Sequence, residues 1–123
     1  MIPVVASSVL LVDDDPDFRG LARRLLIDAG LGVVGEVGTV AAATAAAMDL
    51  RPDAALVDVG LPDGDGITLA GKLTALPWPL RVVLTSTDAD AASPDDLLRS
   101  GAGHFIPKAD LPNAPLLKLL SHP

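Results

Sequence analysis

Apolar residues in this chain fall into short runs, each closed by a polar or glycine break and followed by apolar positions at helical spacing. Val9 to Val12 reads as a first strand ending in Asp13, Asp14 and Asp15. Asp15 and Pro16 then form an N-cap and first helical position, and Phe18, Leu21, Leu25 and Ala29 recur on one helical face until Gly30 to Gly32. Gly32 to Val37 predicts a second strand, and Thr39 caps an alanine-rich helix running to Leu50. Ala54 to Asp58 is continuously apolar up to its terminal carboxylate, the pattern of a strand buried on both faces. The loop LPDGDG follows, and Ile67, Ala70, Leu73 and Leu76 mark a third helix closed by Pro77, Trp78 and Pro79.

Arg81 to Leu84 predicts a fourth strand that delivers Thr85, Ser86 and Thr87. Ser93, Pro94, Asp95 and Asp96 make a capping box, so the fourth helix starts late and ends near Ser100, leaving the preceding TDADAA stretch loose. His104 to Pro107 is a fifth strand delivering Lys108, and a short last helix falls between Asn113 and Leu120. Strands alternating with helices imply an α/β fold, a doubly wound five-stranded parallel sheet with helices on both faces and right-handed crossovers.

The 123 residues, half of them apolar, suffice for one domain, taken here as residues 1–123. With no cysteine, disulfides and thiolate metal sites are excluded. The apolar start has no basic leader, so neither a signal peptide nor a membrane span is expected and the location is read as cytoplasmic. A net charge of −7 with no basic stripe argues against direct nucleic-acid binding.

In a parallel sheet, the carboxyl ends of the strands line one edge, where such folds bind ligands. Asp13 to Asp15, Asp58, Thr85 and Lys108 should therefore meet there. Clustered carboxylates repel unless a cation shares them, and hard oxygen ligands suit Mg2+. The Thr85 hydroxyl and the Lys108 charge suit the oxygens of a phosphoryl group, with Asp58 as nucleophile forming an aspartyl phosphate.

The pieces VLLVDDDPDFR, LVDVGLPDGDG, VVLTST and GHFIPKADL, in this order, make the chain resemble the receiver domain of bacterial two-component response regulators. The resemblance implies a flavodoxin-like strand order 2-1-3-4-5 and a phosphoprotein of phosphorelay signal transduction. Asp58 would accept phosphate from a histidine kinase or phosphotransfer protein. Asp13 and Asp14 would be the acidic pair, Asp14 the more direct Mg2+ ligand, with Asp58 and the Gly60 carbonyl also on the metal. Thr85 and Lys108 would contact the phosphoryl group, and Thr85 with Phe105, at the family's aromatic position, would form the switch. Output would pass through helix 4, strand 5 and helix 5, by self-association or to a partner. The chain departs from the family in having Ala109 rather than proline after the lysine, no hydroxyl on Phe105, and short fourth and fifth helices.

No enzyme activity is expected beyond self-directed phosphotransfer and auto-dephosphorylation. Two alternatives compete. Asp13 and Asp15 satisfy the DxD pattern of haloacid-dehalogenase-type phosphatases, with Asp13 as nucleophile, although chain length and the LPDGDG loop weigh against it. A degenerate receiver, never phosphorylated and acting by constitutive contacts, is the other. His104 and His122 lack ligand-spaced partners, and Trp78 reads as a loop residue packed on the body.

Overall fold

A computed structural model describes residues 6–121, so the apolar start and His122 lie outside the described residues. The chain runs β1 (Ser8–Val12), α1 (Pro16–Asp28), β2 (Gly32–Val37), α2 (Val40–Leu50) and β3 (Ala54–Asp58). A two-residue pair follows, β4 (Gly60–Leu61) and β5 (Gly64–Asp65), then α3 (Gly66–Thr74), β6 (Arg81–Ser86), α4 (Pro94–Ser100) and β7 (His104–Pro107). A 3-10 segment (Lys108–Asn113) and α5 (Leu116–Leu120) close it. The main sheet is parallel in the order β2-β1-β3-β6-β7. With β6 and β7 as fourth and fifth long strands, this is the order 2-1-3-4-5.

Strand alternation sorts the core into two layers, because successive side chains point to opposite faces. Leu10, Val12, Ala55, Val57, Val82 and Leu84 pack with Ala43 and Ala47 of α2 and Leu69, Ala70 and Leu73 of α3. Val9, Leu11, Ala54, Leu56, Val83 and Ile106 pack with Ala22 and Leu26 of α1 and Leu116 and Leu120 of α5. Covering both faces explains why β3 is buried at every position.

The local signals act where expected. Asp15 caps α1 by accepting from the Asp17 N–H, and Thr39 caps α2. Ser93 and Asp96 form the reciprocal capping box of α4, which ends at Gly101 with φ +76°. Thr87 to Ala92 contains no helix or strand. Trp78 packs on the body: its indole N–H donates to the Pro52 carbonyl at 2.9 Å and Arg51 stacks over its ring.

Three features add to the sequence reading. The LPDGDG loop is a small antiparallel hairpin, and a Cβ at Gly66 would overlap the Asp58 carbonyl oxygen, so only glycine lets α3 start this close to β3. Lys108 opens a 3-10 segment, and Pro112 and Pro115, lacking N–H donors, delay α5 to Leu116. The crowded leucines of α5 are also largely satisfied by the chain's own core. Leu116 and Leu120 are buried and Leu119 packs against them, leaving Leu117 as the exposed one.

Candidate functional site

The end of β1 fixes Asp13, whose N–H donates to the Val37 carbonyl at 2.9 Å. Its Oδ1 accepts from the Asp15 N–H at 2.8 Å. Its Oδ2 is buried without an aligned hydrogen bond, and the Lys108 ammonium stands 2.7 Å away as its charge partner. On β3, Asp58 is paired in register with Thr85 of β6, its Oδ1 accepts from the Gly60 N–H at 3.3 Å, and its Oδ2 is 3.6 Å from Lys108 Nζ. Burial, then the Asp13 charge, pushes the Asp58 carboxyl above its ordinary range, while Lys108 and the Gly60 N–H pull the other way.

Asp13, Asp14 and the buried Asp58 each bring a carboxylate oxygen within 4.8 Å of the others. Oxygen-only donors, two of the three residues buried, and one oxygen without an aligned donor together fit a hard divalent cation that keeps some of its water, as Mg2+ does. The exposed Asp14 supplies the solvent side. Gly60 is exposed in β4, open to solvent on its Cβ side.

Thr85 is fully buried, and its hydroxyl donates to the Ile106 carbonyl of β7 at 2.7 Å. That bond aims the hydroxyl along the sheet rather than at the carboxylates. Phe105 is half-buried, paired with Leu84 and packed against the α2–α3 core layer. His104 is exposed on β7 and lies outside the Asp13, Asp14 and Asp58 group.

Three contributors escaped the sequence reading. Phe18, placed on the core face of α1, has its ring 4.0 Å from Lys108 Nζ. Arg19 donates to the Asp13 carbonyl at 2.6 Å and pairs with Glu36, tethering the β1–α1 turn to β2. Asp63 in the hairpin turn accepts from Val40 N–H at 2.7 Å and Ala41 N–H at 3.1 Å, fastening the segment after Asp58 to the start of α2. For Phe18 and Arg19 the available signal was their place in the first turn after the Asp15 cap, which faces the strand ends. For Asp63 no local signal existed, because its partners come from another element.

A doubly wound sheet with a carboxylate group and a lysine at its carboxyl edge defines the class of open α/β modules whose ligand site lies at that edge. The model of the response regulator receiver domain matches residues 9–118, and the chain belongs to that family of two-component phosphorelay signalling proteins. It is 44% identical over 100 residues to the DNA-binding transcriptional activator DevR/DosR of Mycobacterium tuberculosis, covering 80% of this chain and 46% of that protein. It is 32% identical over 109 residues to a protein-glutamate methylesterase/protein-glutamine glutaminase of Hahella chejuensis, covering 87% of this chain and 31% of that one. The signal receiver domain of the response regulator NarL from Mycobacterium tuberculosis superposes with a TM-score of 0.78 at 28% identity, covering 94% of each chain.

The chain spans about half the length of the transcriptional regulators it matches. The family interacts with histidine kinases and binds Mg2+ at an acidic pocket; here Asp13, Asp14 and Asp58 form such a group. The phosphatase alternative is not favoured: Asp15, the second acid of its motif, is exposed and spends its carboxylate on the α1 cap. Among the described residues, no helix is long and apolar enough to cross a membrane.

Proposed function

We propose that residues 1–123 act as one receiver unit in which Asp58 accepts a phosphoryl group from the phosphohistidine of a histidine kinase or phosphotransfer protein. The observation that carries this is the convergence of three carboxylates within 4.8 Å with a lysine ammonium 3.6 Å from Asp58. Asp13, Asp14, Asp58 and the Gly60 carbonyl would hold Mg2+, which when bound would neutralise charge on the carboxylates and on the incoming phosphoryl oxygens. An Asp58 carboxylate oxygen attacks phosphorus as the phosphorus–nitrogen bond breaks, and the released imidazole takes a proton. Lys108 pairs with a phosphoryl oxygen, and the Thr85 hydroxyl turns to donate to another. The same site later releases phosphate to water, and no other substrate is turned over.

That turn of Thr85 breaks its bond to the Ile106 carbonyl, next to Phe105, and biases the packing of β7 against α4 and α5. Output then passes through α4, β7 and α5 to a partner or a second copy, in a cytoplasmic setting. Incubation with Mg2+ and a small acyl phosphate, followed by intact-mass and peptide mapping, tests the assignment. One phosphoryl group on Asp58 supports it, whereas label on Asp13 supports a phosphatase and no label a degenerate receiver.

A further inference from the structure

We propose that Phe18 is a positioning residue that holds the Lys108 ammonium beside Asp58 through the face of its ring. The inference rests on the reading of Asp58 as phosphoacceptor. Three groups surround Lys108 Nζ: Asp13 Oδ2 at 2.7 Å, Asp58 Oδ2 at 3.6 Å and the Phe18 ring centroid at 4.0 Å. A lysine side chain is a flexible stem with a strongly hydrated tip, so its position is set by what attracts the tip. The two carboxylates are also the oxygens that suit a divalent cation. A metal bound there neutralises them and repels the ammonium, which removes the pull that fixes it in the metal-free site. The ring is neutral and outside the carboxylate cluster, so its attraction for the cation persists.

The geometry is built to keep the ring in place. Phe18 lies in the first turn of α1, whose start is pinned by the Asp15 cap, and it packs against the core layer of Leu26 and Leu111. Lys108 opens the 3-10 segment, whose N-cap residue, Pro107, makes no side-chain cap bond. The lysine is therefore oriented from across the sheet edge.

The experiment separates positioning from packing. Phe18→Leu keeps apolar bulk and removes the ring, whereas Phe18→Tyr keeps the ring. At saturating Mg2+ and acetyl phosphate, Phe18→Leu should slow the rate constant for Asp58 phosphorylation about ten-fold with Mg2+ affinity unchanged, and Phe18→Tyr should restore it. In a Lys108→Met background, adding Phe18→Leu should change nothing further. Equal loss in both backgrounds, or no loss in either, overturns the proposal. A direct readout is the ring-current shift of the Lys108 ε-methylene protons by NMR, expected upfield in the wild type with and without Mg2+ and absent in Phe18→Leu. Loss of that shift when Mg2+ is added to the wild type also overturns it. Wild type that takes no phosphoryl group on Asp58 defeats the phosphoacceptor reading instead, and the NMR shift then decides the placement of the lysine by itself.

Discussion

The Lys108 ammonium lies 2.7 Å from Asp13 Oδ2, an oxygen that is otherwise buried without an aligned donor. A single cation thus stands against a carboxylate of the group that could hold a divalent ion. Mg2+ should raise the thermal midpoint of the wild type and not that of Asp14→Ala, since binding to the native state alone stabilises it. Because the ammonium competes for Asp13, Lys108→Met should bind Mg2+ several-fold more tightly by calorimetric titration. Equal or weaker affinity would show that the lysine and the metal do not share this oxygen.

Burial and the neighbouring Asp13 raise the Asp58 carboxyl above its ordinary 3.8. A carboxyl raised on folding is protonated more readily in the native than in the unfolded chain, so this group makes stability fall as pH rises from 3.8 through the native value. Asp58→Asn removes that effect. In EDTA, its thermal midpoint should exceed that of the wild type by several degrees at neutral pH, with the difference closing in acid below 3.8. A neutral-pH midpoint no higher than wild type would contradict the burial argument.

Asp63 titrates in the opposite sense. The Val40 and Ala41 N–H groups hold its carboxyl below the ordinary 3.8. Its stabilising contribution is therefore present above 3.8 and lost as pH falls through the native value. Asp63→Ala should lower the midpoint by a few degrees at neutral pH and match the wild type in strong acid, while amide exchange speeds up at Val40 and Ala41.

The two ends of the hairpin respond differently to a side chain. A Cβ at Gly60 meets nothing within 4 Å, whereas one at Gly66 overlaps the Asp58 backbone. Gly60→Asn should leave stability nearly unchanged and alter the decay of the acyl phosphate several-fold, because the Gly60 N–H donates to Asp58 Oδ1 and a side chain there has open space beside that carboxylate. Gly66→Ala should destabilise by roughly 3 kcal/mol through overpacking. Denaturant melts and phosphate-release kinetics on both variants check this.

Of the α5 leucines, Leu117 is 49% exposed and Leu120 fully buried. Leu117→Glu should fold normally and, if α5 carries output, weaken phosphorylation-dependent association measured by light scattering. Leu120→Glu should lose about 3 kcal/mol or more by burying a carboxylate in the core, and so cannot report on a surface. A monomer in every state, with amide exchange in residues 88–120 unchanged by phosphorylation, would remove this face from the output.

Much of the fold was legible because its determinants are local. Val9 to Val12 and Ala54 to Val57 are apolar on both alternating faces, which commits them to a two-layered parallel sheet. Asp15 with Pro16, and Ser93 with Asp96, set helix starts through bonds spanning no more than three residues. Strand ends carrying Asp13, Asp58, Thr85 and Lys108 must share an edge once the strands run parallel. Only the tertiary structure decided what each group does with its free atoms. Thr85 gives its hydroxyl to Ile106, Asp63 fastens a hairpin to α2, Phe18 supports Lys108 and Leu120 sinks into the core. These are contacts between elements distant in the chain; they depend on ångström-scale approach of packed surfaces, which no residue period encodes.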